Sequence, residues 1–258
     1  MSTAEIYPVL ITRDAAATIE HTLQSLAEFP EVVVYDNGST DDTVERCRRF
    51  RNVKVTTGEF FGYGPTKNHA VSLARGDWVL SIDADEYISE ALLEELRALK
   101  LDDPSVAYVV DRHNLLLGKD VQRGGVGNNW LVRLFNRQRC RFTDAPVHEK
   151  VVVPPDCSTV RLRGALWHQA CTDLDQILQK ISKYSELNRH DGAPTVSVLN
   201  IWIRSVWSFF KSYVLKAGFL EGWRGIVIAH GDAMGTFFKH IKRYADKAVA
   251  TEKRELPK

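Results

Sequence analysis

The feature that most constrains the fold of this 258-residue chain is a regular alternation of strand-like and helix-like segments over its first hundred residues. Short apolar runs rich in β-branched residues alternate with segments of helical periodicity. Such alternation predicts βαβ units and a parallel sheet. The predicted strands are Ile6–Thr12, Glu31–Tyr35, Val53–Thr56 and Trp78–Ile82, and the predicted helices are Thr18–Leu26, Asp42–Phe50, Thr66–Ala74 and Ala91–Leu99.

The rest of the chain has a different pattern. Residues 106–167 contain strand-like runs separated by Gly, Pro and Asn, which predict a mixed or antiparallel extension of the sheet. Helical patterns dominate from about Thr172 to Ala250. The predicted fold class is therefore α/β: a Rossmann-like sheet with a mixed-strand extension, followed by C-terminal helices. We expect one domain over residues 1–170, with halves meeting at residue 100, and a helical segment over residues 171–258.

Two acidic clusters of the first half follow predicted strands. Asp36 opens the run DNGSTDD, and Asp83 and Asp85 lie in the run LSIDADE of residues 80–86. In an open parallel sheet, ligands bind beyond the carboxyl ends of the strands. We therefore expect both clusters to lie at the ligand-binding edge of the sheet.

The spacing of Asp83 and Asp85 predicts a cation site. Ala84 between them is small, and we expect the chain to turn so that both carboxylates converge on one point. Two such charges repel each other unless a cation lies between them. Magnesium and manganese prefer carboxylate and phosphate oxygens and typically take one or two carboxylates plus substrate phosphates. The alternative is a solvated acidic turn that caps the next helix, but the position at a strand exit favours the cation.

Two other runs carry candidate binding residues. Asp36 could accept a hydrogen bond from a nucleobase or a ribose hydroxyl, and Gly38 permits a tight turn; a simple turn with helix capping is the alternative. In GYGPTKN, Lys67 on the first turn of a predicted helix could meet a phosphate, or it is a surface lysine. Neither the GxxxxGK[ST] phosphate loop nor a GxGxxG motif after the first strand is present.

The order of these runs resembles that of a known enzyme family. DNGSTD after a strand, then GYGPTKN, then ARGDWVLSIDADE resemble the family 2 glycosyltransferases of the GT-A fold, closely over residues 6–100. The resemblance implies an enzyme that moves a sugar from a nucleotide sugar. It implies that residues 1–100 bind the donor and that residues 101–170 form the acceptor half.

The resemblance also implies a role for each candidate. Thr12 and Arg13 would lie near the nucleotide, and Asp36 would read its base. Lys67 would lie close to the nucleotide or its diphosphate, and Asp83 would contact the ribose region. The remaining carboxylate, Asp85, would hold a divalent cation, Mg²⁺ or Mn²⁺, that bridges the two phosphates.

The second half narrows the resemblance. The runs GGVGNNWLVRLFNRQRCRFTDAPVHEKV, LWHQACTDLDQILQKISKYSELN and YVLKAGFLEGWRGIVIA look like the lipopolysaccharide inner-core β-1,4-glucosyltransferase group, with other bacterial surface-glycan enzymes nearby. This implies inverting transfer of a sugar, glucose from UDP-glucose, to a lipopolysaccharide-core or other cell-surface glycan. The partners implied are a UDP-sugar and a glycolipid or oligosaccharide acceptor.

Inverting transfer needs a general base that deprotonates the acceptor hydroxyl. The late "ED" pair that many members of this family use has no clear counterpart, and Val147-His148-Glu149 stands in its place. Glu149 is the first candidate and Asp144 the second. A solvated strand-end acid is the alternative for Glu149. His148 could orient an acceptor or stack in the core.

Two more residues have open assignments. His168 follows a predicted strand and could bind the cation as a neutral imidazole. The alternative is a structural histidine whose hydrogen bonds are made within the protein. Arg133, on a predicted strand, could face the diphosphate or an anionic acceptor, or pair with a neighbouring acid.

The C-terminal segment is basic and aromatic. The whole chain has a net charge of +1, so no nucleic-acid partner is expected, yet residues 201–258 hold 11 Lys/Arg and 5 Asp/Glu, a net charge of +6. Trp202, Val206, Phe209 and Tyr213 follow helical spacing there, among interspersed basic residues. The pattern predicts an interfacial helix on an anionic membrane surface. The alternative is a helix packed on the catalytic domain, or a dimer face.

The sequence also bears on location and on competing functions. It shows no signal-peptide pattern and no run of about 18 apolar residues, so we expect a cytoplasmic protein, peripheral on the inner face of the cytoplasmic membrane. The competing functions are a non-catalytic nucleotide-sugar or glycan-binding module on the same fold, and a nucleotidyltransferase. The glycine- and arginine-rich signature of the latter is missing from ITRDAAATIE.

Overall fold

The computed structural model describes residues 2–125, 129–144, 149–187, 189 and 194–255. The chain forms two compact units. The first comprises Met1–His113 and Asn128–Gln169, and the second comprises Asn114–Gly127 and Ala170–Lys258. The second unit therefore joins a central segment of the chain to its C-terminal part.

The strands cluster in the first two-thirds of the chain. They are β1 (Ile6–Thr12), β2 (Val32–Asp36), β3 (Val53–Thr57), β4 (Trp78–Ser81), β5 (Glu86–Ile88), β6 (Val106–Leu116), β7 (Lys119–Val121), β8 (Asn129–Asn136), β9 (Arg141–Phe142), β10 (Val151–Val152) and β11 (Ser158–Cys171). The helices of the first unit are α1 (Ile19–Ser25), α2 (Thr43–Arg48), α3 (Tyr63–Ser72) and α4 (Glu90–Ala98). The helices of the second unit are α5 (Asp175–Leu187), α6 (Val198–Phe210) and α7 (Trp223–Glu255).

The main sheet is mixed. Its strand order is β3-β2-β1-β4-β8-β6-β11-β5, and β7 pairs with β6 beside this path. β1 pairs in parallel with β2 and β4, and β2 pairs in parallel with β3. β8 is antiparallel to β4 and β6, and β5 is antiparallel to β11. The predicted parallel first half and its mixed extension are both confirmed.

Side-chain alternation along the parallel strands builds a core on each face of this sheet. Val34 and Leu80 pack with Leu23 of α1 on one face. Val33 packs in a separate cluster with Ala70 of α3. The first unit is therefore a sheet covered by helices on both faces, which leaves the strand ends as the accessible edge.

The start of α3 differs from its predicted start. The helix begins at Tyr63, three residues before Thr66, and Gly62 precedes it with φ of +97°. A positive φ is open to glycine because glycine has no Cβ. The earlier start places Lys67 in the second helical turn, so the expectation of a first-turn position is wrong.

The second unit is mainly helical. α5 and α6 both pack against α7, and a π turn at Lys211–Leu215 and a 3₁₀ turn at Gly218–Glu221 connect α6 to α7. Arg224 of α7 donates hydrogen bonds to the carbonyl oxygens of Leu116 (3.0 Å) and Leu117 (3.1 Å). None of the helices in the described part of the chain is both long and apolar enough to cross a bilayer.

Candidate active site

The candidate site surrounds the ends of β2 and β4, which flank β1 in the sheet. Asp36 is the last residue of β2, and Asp83 follows the end of β4. In the turn after β4, Glu86 N–H donates to the Asp83 carbonyl (3.0 Å), and Asp83 N–H donates to Glu86 Oε2 (3.0 Å). The parallel pairing of β1 with both strands brings the two acidic clusters to the same edge.

Asp83 lies between two buried cations. Lys67 Nζ donates to its Oδ1 (2.8 Å), and Arg133 Nη2 donates to its Oδ2 (3.0 Å). Burial opposes ionisation of Asp83, but the ammonium and guanidinium groups outweigh it and hold its pKa well below the ordinary value. Asp83 is thus an ionised carboxylate anchored within the protein. A ribose would have to share oxygens that Lys67 and Arg133 already bind.

Glu86, the third carboxylate of the LSIDADE run, is fully buried. Its Oε1 accepts a hydrogen bond from Arg133 Nη2 at 2.5 Å, and Arg112 Nη1 lies 3.7 Å from the same oxygen. Burial raises the pKa of Glu86, and the Arg133 guanidinium opposes that shift. Arg133 therefore ties β8 to the turn that carries Asp83. These ion pairs agree with the alternative that Arg133 pairs with a neighbouring acid. The contact of Arg133 with a diphosphate stays a prediction.

Lys67 joins Asp83 to Glu149. Its Nζ lies 2.8 Å from Glu149 Oε1 as well as 2.8 Å from Asp83 Oδ1, and its side chain is only 8% exposed. The interpretation of Lys67 as a surface lysine is therefore wrong. Burial alone would lower the pKa of Lys67, but the Asp83 and Glu149 carboxylates raise it above the ordinary value. One charged ammonium thus holds two carboxylates in place.

The hairpin of β9 and β10 positions Glu149. Phe142 N–H donates to Asn68 Oδ1 (2.8 Å), and Asn68 Nδ2 donates to the Phe142 carbonyl (3.0 Å). Asn68 follows Lys67 on α3. The Lys-Asn pair therefore fixes the hairpin twice, through its backbone at Phe142 and through the side chain of Glu149.

Asp85 faces a different partner. Its Oδ2 lies 3.3 Å from His168 Nε2 on β11, and its side chain is 40% exposed. No lysine or arginine among the described residues lies within ion-pair distance of Asp85. Asp83 contacts Lys67 and Arg133 and Asp85 contacts His168, so the predicted convergence of the two carboxylates on one cation stays a prediction.

Asp85 and His168 are the residues that could hold a divalent cation. The carboxylates of Asp83, Glu86 and Glu149 lie beside the cations of Lys67, Arg112 and Arg133, whereas Asp85 has no lysine or arginine partner in the described part of the chain. In the described residues, no group of three or more His, Cys, Asp or Glu is arranged to bind a metal. A carboxylate and a neutral imidazole fit a cation that takes its other ligands from substrate phosphates and water.

Asp36 is buried, and both of its oxygens are bound within its own turn. Oδ1 accepts hydrogen bonds from the N–H groups of Gly38 (3.2 Å) and Ser39 (3.1 Å), and Oδ2 accepts one from the Ser39 hydroxyl. Thr12 pairs with Asp36 across β1 and β2, and its buried Oγ1 has no hydrogen-bond partner in the described structure. Thr12 is therefore the group at this strand end with unused hydrogen-bonding capacity.

Arg13 and Asp144 lie on loops. Arg13 is exposed, with Nε 3.7 Å from Asp14 Oδ2, and Asp14 Oδ1 accepts a hydrogen bond from Thr40 N–H (2.7 Å). Asp144 is exposed and comes two residues after β9. His148 lies outside the described residues.

A comparison with known families identifies this arrangement. The model of the family "Glycosyl transferase family 2" matches residues 9–168, a span that contains every site residue named above. The chain belongs to glycosyl transferase family 2. The family match, together with the sheet topology, confirms the predicted GT-A fold.

Relatives of this family 2 glycosyltransferase match along most of the chain. An uncharacterized glycosyltransferase of Rickettsia typhi is 29% identical over 252 residues, covering 92% of this chain and 86% of the relative. The lipopolysaccharide core biosynthesis glycosyltransferase LpsC of Rhizobium meliloti is 26% identical over 252 residues, covering 90% of this chain and 91% of the relative. A solved mannosyltransferase of Pyrobaculum calidifontis, in complex with GDP-Man and Mn²⁺, is 15% identical with a TM-score of 0.48, covering 94% of this chain and 88% of that one.

Sequence reasoning misses two residues of this family 2 glycosyltransferase site. Glu86 reads as one more acid in an acidic run, and its partner Arg133 is 47 residues away. Asn68 lies in the GYGPTKN run beside Lys67, but its contact with Phe142 spans 74 residues. The run itself could have pointed to Asn68, whereas no local pattern distinguishes Glu86 from the neighbouring acids Asp83 and Asp85.

Proposed function

We propose that this family 2 glycosyltransferase uses Mg²⁺ or Mn²⁺ to transfer a sugar, with inversion, to a lipopolysaccharide-core or other cell-surface glycan. The observation that carries the proposal is the contact of Asp85 with His168 beside the charge-matched cluster around Lys67 and Arg133. A cation bound at that pair would stabilise the leaving nucleoside diphosphate. Thr12 and Asp36, at the next strand ends, are the proposed nucleotide contacts.

Glu149 is the proposed general base. Lys67 holds one of its oxygens at 2.8 Å, and its side chain is only 16% exposed. A general base must be held within hydrogen-bond reach of the proton that it removes. The fixed position of Glu149 supports this role, with its other oxygen as the proton acceptor. Asp144, across the same hairpin loop and exposed, is the second candidate.

The proposed acceptor is supported by the relatives. LpsC of Rhizobium meliloti is named for lipopolysaccharide core biosynthesis, and it is similar to this chain over nearly its whole length. Glucose as the transferred sugar is supported by the resemblance of the second half to the inner-core glucosyltransferase group. The family assignment and the presence of both Asp85 and Glu149 favour an enzyme over the binding-module alternative.

A donor screen tests the proposed reaction. Release of nucleoside diphosphate is measured for UDP-glucose, UDP-galactose, UDP-N-acetylglucosamine and GDP-mannose, with Mn²⁺, with Mg²⁺ and with a chelator. We expect UDP-glucose to be the preferred donor and the chelator to stop turnover, because the cation neutralises the leaving diphosphate. Preference for another donor would contradict the assignment of glucose, and turnover in the chelator would contradict the role of the cation.

We further infer that the second unit docks on an anionic membrane surface, at the inner face of the cytoplasmic membrane. One side of α6 presents apolar residues at helical spacing, and each of them is at least 41% exposed. This α6 apolar face comprises Val198, Leu199, Trp202, Ile203, Val206, Trp207 and Phe210. A contiguous apolar surface of this kind is typical of an interaction site.

The charges around the α6 apolar face favour a lipid partner. Residues 192–220 contain no Asp or Glu, and Arg204, Lys211 and Lys216 are exposed. Aromatic and aliphatic residues beside lysine and arginine are the composition of interfacial helices. A helix buried against another protein copy would not need this excess of positive charge, so an anionic bilayer is the proposed partner.

The structure revises which residues would touch the membrane. Phe209 is stacked on Tyr213 (5.4 Å between ring centroids) and packed against His230 (4.8 Å), so neither Phe209 nor Tyr213 belongs to the α6 apolar face. On α7, Lys242 Nζ lies 3.0 Å from Glu186, and Arg243 is buried. The basic groups proposed to meet lipid are therefore Arg204 on α6 and Lys211 and Lys216 in the segment that connects α6 to α7.

Vesicle flotation tests membrane docking. We expect the protein to float with phosphatidylglycerol-containing vesicles at low salt and less so at high salt, because basic residues contribute roughly 1 kcal/mol each and are screened. A Trp202→Ser, Trp207→Ser double variant should stay at the bottom, whereas Trp130→Ser, at an exposed tryptophan of the first unit, should float like the wild type. Wild-type protein that stays at the bottom and sediments as a dimer would make the α6 apolar face a contact between copies.

A further inference from the structure

A cavity of about 530 Å³ lies within the second unit, and its lining shares no residue with the candidate active site. Ile177, Ile181 and Tyr184 of α5 form one wall, and Val227 and Ile228 of α7 form part of the other. Its volume is within the range of small-molecule pockets, roughly 300–1,000 Å³. Neither the transfer reaction nor the α6 apolar face uses this space.

Both serines of the cavity wall already donate hydrogen bonds to the backbone, and five of the other lining residues are aliphatic: Leu116, Ile177, Ile181, Val227 and Ile228. Ser185 Oγ donates to the Ser182 carbonyl (2.9 Å), and Ser208 Oγ donates to the Asp232 carbonyl (3.2 Å). The hydroxyl protons of both lining serines are therefore already used by the backbone. These two serines would therefore not donate to a sugar or nucleotide, and burying polar groups without hydrogen bonds is costly. The wall suits an apolar ligand.

Two glycines on α7 create the width of the cavity. Gly231 and Gly235 are one helical turn apart and both line the space. A Cβ at Gly235 would have no atom within 4 Å, and a Cβ at Gly231 would meet only Ile177 Cγ2 at 3.5 Å. Glycine inside a helix is destabilising relative to alanine. Alanine would fit at both positions, so close packing does not explain the two glycines. Their missing side chains leave the cavity wider, at the expense of helix stability.

The charged residues of the lining indicate the polarity of the ligand. Lys180 and Lys239 line the cavity, and Lys180 Nζ donates to the Ala170 carbonyl. Asp232 also lines it, but a Cβ at Gly125 would lie 2.2 Å from Asp232 Oδ2, so this carboxylate is packed against Gly125. The lining therefore carries two ammonium groups against one carboxylate, and this balance of charge favours an anion.

The lining of the cavity extends along α7. Its lining runs from Val227 to Lys239, and at 1.5 Å per residue this is a length of about 18 Å. A long apolar space with lysines in its lining matches a single hydrocarbon chain that carries a negative head group. A compact aromatic ligand would leave much of the length unfilled.

We propose that the cavity between α5 and α7 binds one hydrocarbon chain of a phosphate-bearing membrane lipid, with the phosphate at Lys180 and Lys239. This site is separate from the residues proposed for sugar transfer. The proposal of lipid binding does not depend on the proposed sugar donor or acceptor.

Binding of dodecyl phosphate below its micelle concentration tests this proposal on the full chain, by isothermal titration calorimetry. We expect saturable binding of one equivalent, and no saturable heat from inorganic phosphate. Gly235→Leu should weaken binding at least tenfold without lowering Tm, because leucine fills the space and is a better helix former than glycine. Ala245→Leu, at an exposed position of the same helix, should bind as the wild type does.

Three results would overturn the proposal: unchanged affinity in a folded Gly235→Leu variant, uptake of many equivalents without saturation, or equal affinity for dodecyltrimethylammonium. If Gly235→Leu does not fold, Ile181→Trp fills the cavity from the opposite wall and should give the same loss. The Trp202→Ser, Trp207→Ser variant should keep one-equivalent binding, since the α6 apolar face is a different surface. Loss of that binding in the tryptophan variant would place the probe on α6 and contradict the proposal.

Discussion

Replacing Asp85 with alanine is expected to lower the rate of sugar transfer by on the order of 10²–10³-fold. Among the carboxylates of the LSIDADE run, Asp85 is the one without a lysine or arginine beside it in the described structure, and it is the proposed cation ligand. A bound metal ion contributes several kcal/mol of charge stabilisation in the transition state, and about 1.4 kcal/mol corresponds to a factor of ten in rate. The measurement is kcat with saturating donor across a titration of Mn²⁺.

The fold should tolerate this change. The Asp85 side chain is 40% exposed, and its carbonyl, which accepts a hydrogen bond from Gln169 N–H (2.8 Å), is retained in alanine. Thermal unfolding should therefore stay close to that of the wild type. Asp156→Ala, at an exposed aspartate paired with Arg139, is the matched control and should keep full activity. Near-normal turnover of Asp85→Ala, with an unchanged requirement for metal, would contradict the assignment of Asp85.

His168 provides a second, graded measurement. His168→Ala removes the imidazole but leaves the carboxylate, so a higher Mn²⁺ concentration should be needed for half-maximal rate. The rate at saturating Mn²⁺ should lie above that of Asp85→Ala. An unchanged Mn²⁺ dependence would make His168 a structural partner of Asp85 rather than a ligand.

The regular part of the fold could be predicted because its pattern is local. β1 to β4 and the helices between them follow from apolar runs of four to seven residues and from helical spacing, each visible within one window of sequence. β5 could not be found in this way. It has three residues, and it exists because Tyr87 pairs with Trp167, 80 residues later. Short strands that depend on a distant partner carry no periodic pattern of their own.

The site shows the same division between local and distant information. The strand-end positions of Asp36, Asp83 and Asp85 were predictable, because a parallel sheet presents its strand ends at one edge. Which carboxylate meets which cation was not predictable. Lys67 and Glu149 are 82 positions apart, and nothing in either run indicates that a buried ammonium joins them. Charge pairing in the folded unit therefore decides between an anchored carboxylate and one available to a metal.

Changing Glu149 to glutamine is expected to lower kcat by on the order of 10²–10⁴-fold while donor affinity changes little. The amide keeps the shape of the side chain, and its oxygen can still accept a hydrogen bond from Lys67, 2.8 Å from Glu149 Oε1 in the wild type. It cannot take up a proton from the acceptor hydroxyl at neutral pH. The measurements are kcat with saturating acceptor, and the affinity for UDP with Mn²⁺ by calorimetry.

Asp144→Asn separates the two candidate bases. Because Asp144 is exposed beside the hairpin, its amide variant should fold normally and, if Glu149 is the base, keep most of the turnover. The opposite result, a nearly silent Glu149→Gln and an inactive Asp144→Asn, would assign the proton transfer to Asp144. Glu149 would then serve as the counter-ion that, with Asp83, keeps the buried Lys67 charged. A fall in UDP affinity with unchanged kcat in Glu149→Gln would point to that structural role as well, since a general base acts on the chemical step rather than on donor binding.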